Sequence, residues 1–272
     1  MFGEPWKLVT GGIAALLIGI SKAGFGGGVG MLATPLCVLA FGSKEAIGVL
    51  LPMLIVGDFF SLLAYWRKWR GENLFYLLPG VLVGIVLGIG CIARFYPRQL
   101  DFVIGFLAVG FVGFQIFRDW IVEKEKAFRP NYKVGFLFGL ATGLTSTFAH
   151  GAGPVVTMFL LPQRLPKQLF VGTMVLIFTC VNWLKMPFYC LDQRIIPWSW
   201  LPSEALINRH TLLWSFLFMP WIPVGVWLGV RLNRWFSEIW FQRVIYLLLF
   251  LTGLQLIFHF DLADWFQTLF GG

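Results

Sequence analysis

The sequence predicts an all-α polytopic membrane protein made of two homologous repeats, and three observations carry that prediction. Of 272 residues, 58% are hydrophobic and only 12% are charged, with a mean hydropathy of +0.79, outside the range of soluble domains. The apolar residues fall in long runs such as Leu74–Ala93, Phe102–Phe117 and Val244–Phe258, the length of membrane-crossing helices rather than the spacing of a half-buried strand or amphipathic helix. Matching residues also recur in the same order in both halves. Gly48, Asp58-Phe59 and Tyr65 correspond to Gly172, Asn182-Trp183 and Tyr189, and Gly28-Val-Gly30 matches Gly151-Ala-Gly153. Val83-Gly84 with Leu87-Gly88 returns as Val224-Gly225 with Leu228-Gly229, and Gly113-x-Gln115 as Gly253-x-Gln255. An ordered series of this kind implies duplication.

The boundaries follow from the charge pattern. Residues 1–122 form the first membrane repeat, the charged stretch 123–131 a linker, and 132–272 the second repeat, all within one integral membrane domain. Each repeat contains one interrupted apolar segment and three ordinary spans, at 7–42, 45–66, 73–94 and 98–120, then at 132–162, 167–190, 210–232 and 240–260. The first apolar run passes through glycines into another apolar run instead of reaching a small-residue cleavage site, so it is not read as a cleaved signal peptide. Arg118–Lys133 and Asp192–Arg209 are too short to bury a core of their own.

The interrupted segments need a special geometry. As one continuous helix, residues 7–42 would run on the order of 50 Å against a hydrocarbon core of roughly 30 Å, and Gly24, Gly26, Gly27, Gly28 and Gly30 would break it midway. Two half-helices joined at an unwound point fit better, in surroundings of protein or a water-filled cavity. Whether each broken segment crosses the membrane or turns back within it is open from the residues alone. Turning back gives the larger Lys/Arg asymmetry between the two loop sides, which favours re-entrant segments and inverted repeats.

Discontinuous helices at corresponding positions of two repeats point to a binding site near the midplane. The N-terminal end of a half-helix offers unpaired N–H groups and partial positive charge, which suit an anion. The second half-helices are expected near Met31 and Pro154, and the glycines before them allow close backbone approach. Expected substrate-binding residues are Lys22, Gly26, Gly27, Gly28, Thr147, His150, Gly151 and Gly153. Asp58, Asn182, Ser21, Thr145 and Ser146 are expected in a coupling or supporting layer. An intramembrane ionisable residue is costly unless paired, so Lys22 and His150 are candidates to hold an anion, and Asp58 to pair with Lys22 or carry a proton. The alternatives are close helix packing for the glycines, an interfacial position for Lys22 and a hydrogen-bonded structural role for His150. Lys185, three residues beyond Asn182, either lines the path or lies at the interface.

Several function classes are disfavoured. There is no His-Glu-x-x-His, Gly-x-Ser-x-Gly or P-loop sequence, so enzymatic activity, catalytic residues and ATP-driven transport within this chain are not expected. Three histidines and four cysteines without metal-type spacing predict neither a metal site nor a cofactor. The net charge of +8 is spread over short loops, as membrane topology requires, and nucleic acid is not an expected partner.

The run Gly19-Ile-Ser-Lys-Ala-Gly-Phe-Gly-Gly-Gly-Val-Gly30, with its partner Gly143-Leu-Thr-Ser-Thr-Phe-Ala-His-Gly-Ala-Gly-Pro154, resembles the TauE/SafE family of membrane transporters, and the similarity runs through nearly the whole chain. The resemblance implies a multi-pass permease of the bacterial inner membrane that moves sulfite, a sulfonate such as sulfoacetate or a related small organic anion. Expected partners are thus a small inorganic or organic anion and the lipid bilayer, with protons and a second copy in a homodimer as further candidates. An anion channel with the same electropositive constriction is the alternative function. His150 departs from the glycine or small residue more usual in the family at that place.

Overall fold

In the computed structural model, the described residues are 5–22, 30–124, 130–235 and 238–259. They contain helices and no strand. The helices are α1 (Pro5–Ile20), α2 (Ala33–Phe41), α3 (Ser43–Ala64), α4 (Glu72–Arg94), α5 (Pro97–Lys124), α6 (Tyr132–Ala149), α7 (Gly153–Leu160), α8 (Lys167–Cys190), α9 (Arg209–Phe218), α10 (Trp221–Trp235) and α11 (Glu238–Phe258). Four are long and apolar enough to cross a membrane, namely α3, α4, α5 and α8, and α9 together with residues Trp221–Gly229 of α10 meets the same length and composition as a pair bent by 41°, a broken span or a re-entrant loop. The helix-compatible prolines Pro52, Pro79 and Pro187 lie inside α3, α4 and α8, as membrane spans tolerate when neighbours satisfy the freed carbonyls.

Both interrupted segments turn back. At the end of α2, the Phe41 ring lies 5.8 Å from the Lys7 ammonium and 6.4 Å from the Phe218 ring; a Cβ added to Gly11 would sit 2.2 Å from Phe218. Helix α2 therefore returns to the face from which α1 started. Just past α7, Gln163 Nε2 donates to Asn73 Oδ1 at 3.0 Å. One turn along α4, Tyr76 packs on Gly135 and Tyr132 at the start of α6. Helix α7 thus comes back to the face where α6 began.

Helices α3 and α8 pack against each other in opposite directions. Near the start of α3, Gly48 lies under the Leu206 carbonyl, and Ile207 N–H donates to Tyr189 O at the end of α8. Near the start of α8, Gly172 lies under the Lys68 carbonyl, and Arg70 N–H donates to Thr173 Oγ1 at 2.9 Å. A Cβ would fall 1.9 Å from Leu206 O at Gly48 and 1.7 Å from Lys68 O at Gly172, so no larger residue fits at either place without backbone movement.

The close helix crossings are also set by glycine. Along α4 and α6, Gly80, Gly84 and Gly88 face Gly139, Gly143 and Thr147, and an added Cβ would meet backbone oxygens at 2.0–2.4 Å at Gly80, Gly84, Gly139 and Gly143. Across α1 and α10, Gly19 and Gly225 make the same kind of contact, at 2.3 Å from Ile222 O and 2.4 Å from Leu16 O. Small residues let helix backbones approach in lipid, where no hydrophobic force drives the helices together. Large apolar side chains such as Phe75, Phe106, Trp183, Phe216 and Trp227 are exposed, the arrangement expected where the surrounding solvent is hydrocarbon.

Candidate functional site

Residues flanking the two interruptions meet. Thr34 Oγ1, in α2, donates to the Ala149 carbonyl at 2.8 Å, and a Cβ added to Gly151 would sit 2.9 Å from Met31 Cε. Between them lies a cavity of about 60 Å³, bordered by Ser21, Lys22, Gly30 and Met31 from the first break and by Ser146, His150, Ala152 and Gly153 from the second. Phe178 and Asn182 of α8 close another wall. On this measure a water needs roughly 10–15 Å³, so the space suits a ligand of only a few heavy atoms.

The second break runs from the end of α6 at Ala149 to the start of α7 at Gly153. His150 caps α6 in the left-handed region, with φ +50° and ψ +25°, a conformation that histidine visits more often than most residues. Its backbone N–H donates to Ser146 O, and Gly151 N–H reaches back to Thr145 O at 3.2 Å, in the manner of a Schellman ending. Other carbonyls of the last turn are taken from outside the helix. Lys185 Nζ donates to Ser146 O at 3.0 Å, Tyr189 Oη to Thr147 O at 2.8 Å, and Thr34 to Ala149 O. Leaving such groups unpaired inside a membrane would cost several kcal/mol each. Helix α7 then begins with Gly153 and Pro154 and has no side-chain cap, and Ala152 and Gly153 at its N-terminal end line the cavity.

Two buried polar groups stand beside the cavity. In the first, Lys22 forms an ion pair with Asp58 Oδ1, while Asn182 Nδ2 donates to Asp58 Oδ2 at 2.6 Å. Asp58 is wholly buried, and with both oxygens engaged its charge is satisfied. In the second, fully buried Lys185 donates to Ser146 O, to Ser146 Oγ at 2.9 Å and to His150 Nδ1 at 3.0 Å. His150 Nε2 lies 3.1 Å from the Ile47 carbonyl. Because that carbonyl can only accept, Nε2 carries the proton and Nδ1 accepts from Lys185.

The expected residues separate accordingly. Lys22, Ser21, Ser146, His150, Gly153 and Asn182 border the cavity, and Asp58 stands behind Lys22. Thr147 is fully buried with its hydroxyl on Gly143 O, and Thr145 bonds back to Ala141 O, so neither hydroxyl is among the cavity's lining groups. Gly151 packs on Met31 rather than bordering the space. Gly26, Gly27 and Gly28 lie outside the described residues. His150 has both ring nitrogens occupied, so in this conformation it offers a ligand no N–H. Lys185, expected either along the path or at the interface, is fully buried against Ser146 and His150, and Tyr189 is not among the expected site residues; the signal for both is their position one and two turns beyond Asn182 on an apolar helix, where an ionisable group demands partners.

A sequence model described as sulfite exporter TauE/SafE matches residues 12–256. No curated protein and no solved structure matches the chain.

Proposed function

We infer that this chain, which belongs to the sulfite exporter TauE/SafE family, is a secondary transporter that carries a small oxyanion through the cavity between its two helix breaks. The observation that carries this reading is the convergence of Lys22, Ser21 and the start of α7 on one small space. A helix N-terminus and an ammonium both stabilise negative charge. The size of the space favours sulfite, a compact sulfonate or a similar anion over a larger solute, and the bacterial inner membrane is the setting we propose.

Two inverted repeats would supply the moving parts. Supporting this, Asp58 hydrogen-bonds to Asn182, its counterpart 124 residues on, as expected of residues flanking a two-fold axis. Gly48 and Gly172, another pair of counterparts, each lie under a loop carbonyl of the other half. The helix carrying Gly84 packs on that carrying Gly143, and the helix carrying Gly225 on that carrying Gly19.

Counterflow in reconstituted vesicles tests the reading. Preloaded sulfite or sulfoacetate should accelerate uptake of labelled substrate; flux indifferent to the opposite side would indicate a channel instead. The double variant K22Q/D58N removes the buried pair together, avoiding an orphaned carboxylate. It should fold and lose most flux, and undiminished flux would remove Lys22 from the site.

A further inference from the structure

We propose that Asp58 is a proton-binding site that fills as a sulfonate binds, so that the protein carries a proton together with its anion. The proposal rests on the anion-transport reading and deepens it by naming the coupled ion.

The pair formed by Lys22 and Asp58 presents only one of its members to the cavity. The Lys22 side chain borders the space, whereas Asp58 is wholly buried behind it and is not among the lining groups. The carboxylate reaches Lys22 through Oδ1 and the Asn182 amide through Oδ2, at 2.6 Å. Among the described residues it is therefore in contact with a single ammonium, and no second carboxylate forms an ion pair with Lys22. The Phe178 ring, 5.8 Å from the ammonium, adds an apolar wall. Other titratable groups nearby are engaged elsewhere. On α8, Lys185 bonds to Ser146 and His150, and the second ring nitrogen of His150 meets the Ile47 carbonyl. Lys185 and Cys180, also on α8, interact with Asp58 only at longer range. The segment 23–29, which follows Lys22 directly, contains no ionisable residue.

An anion entering the cavity meets the same ammonium. Two negative groups then share one cation where the dielectric is low, and like charges held that close are costly to keep ionised together. A proton relieves the repulsion, and it goes to the weaker acid of the two. A sulfonate is a far stronger acid than a carboxylic acid, so Asp58 takes the proton whatever the valence of the sulfonate. Asn182 suits both forms of its partner. Its amide donates to the carboxylate through Nδ2, and turned over it offers its carbonyl oxygen to the new O–H. Because the residue matching Asp58 in the second half is this neutral amide, the two counterparts supply one proton site rather than two. A dianion such as sulfoacetate would then move with one proton as one net negative charge, which an inside-negative membrane potential drives outward.

Isothermal titration of the purified full-length protein with methanesulfonate and with sulfoacetate counts the protons, since both ligands stay fully ionised near neutral pH and any proton taken up goes to the protein. Compared across buffers of different ionisation heat, the wild type should take up about one proton per anion bound. Linked binding is reciprocal, so anion affinity should rise as pH falls, by about tenfold per pH unit. D58N should bind either sulfonate with no proton uptake and an affinity indifferent to pH. A readout that needs no variant is proton movement in vesicles holding a pH-sensitive dye, where an imposed sulfoacetate gradient should carry protons in the same direction through the wild-type protein. Anion binding by the wild type without proton uptake, or transport without proton movement, would overturn the coupling while leaving anion transport standing. Proton uptake that persists in a folded D58N protein would overturn the role of Asp58. Binding and transport of neither sulfonate, nor of sulfite, would overturn both the coupling and the anion reading on which it rests.

Discussion

His150 shows how one side chain can fix a helix break by engaging both ring nitrogens. Its left-handed backbone costs on the order of 1 kcal/mol relative to glycine, yet its ring links Lys185 to the Ile47 carbonyl. Replacing it by glycine relieves the backbone but leaves buried polar groups without partners, at roughly 1–3 kcal/mol for each. Replacing it by alanine loses the same bonds and keeps the strain. Thermal unfolding should therefore rank wild type above H150G and H150G above H150A; an H150G protein as stable as wild type would show that the imidazole is dispensable for the break. Lys185, Tyr189 and Thr34 perform the complementary task by covering carbonyls at the end of α6. The sequence displays these residues plainly, but it does not tell which carbonyls they reach, because their partners lie 39, 42 and 115 residues away.

At the scale of elements, the glycine-lined crossing of α4 and α6 is a rigid seam. A methyl group on Gly139 would overlap the Leu77 carbonyl at 2.1 Å, whereas one on Gly110 meets nothing within 4 Å. G139A should therefore lose on the order of 1–3 kcal/mol through overpacking, seen as a lower unfolding temperature in detergent. G110A should be neutral or slightly stabilising, because alanine is the better helix former. Equal melting temperatures for the two variants would mean that the helices separate at little cost. The two ways of reading glycine in the sequence, as a break or as a packing surface, are both realised here. Gly80, Gly84, Gly139 and Gly143 pack, while the turn between α6 and α7 uses His150, Gly151 and Ala152.

For the whole molecule, the hairpins decide the topology. Because each broken segment returns to its starting face, the loop after α3 and the loop after α8 lie on opposite sides, as the antiparallel packing of α3 on α8 also requires. The face bearing the loops after α3 and α7 and the end of α10 is rich in Lys and Arg, with Arg67, Lys68, Arg70, Arg164 and Arg231 among them, and should lie in the cytoplasm. Single cysteines placed at Lys68 and at Glu204, in a protein with its four native cysteines replaced, should react with an impermeant maleimide from opposite sides of the membrane. Labelling of both from one side would indicate parallel repeats and sink the inverted arrangement.

The sequence by itself determined the solvent, the helical class, the family and the interruption between α6 and α7, while the glycine run 24–28 lies outside the described residues. These depend on local composition and on order along the chain, and lipid imposes them on each segment separately. Only the tertiary structure decided that the broken segments turn back, that residues flanking both interruptions share a cavity, and that the His150 ring bonds to Lys185 and the Ile47 carbonyl. Those outcomes depend on which helices meet and on how buried charges and carbonyls find partners across more than a hundred residues, information that no local run of residues contains. The glycine pattern marked where backbones could approach, and packing selected which ones did.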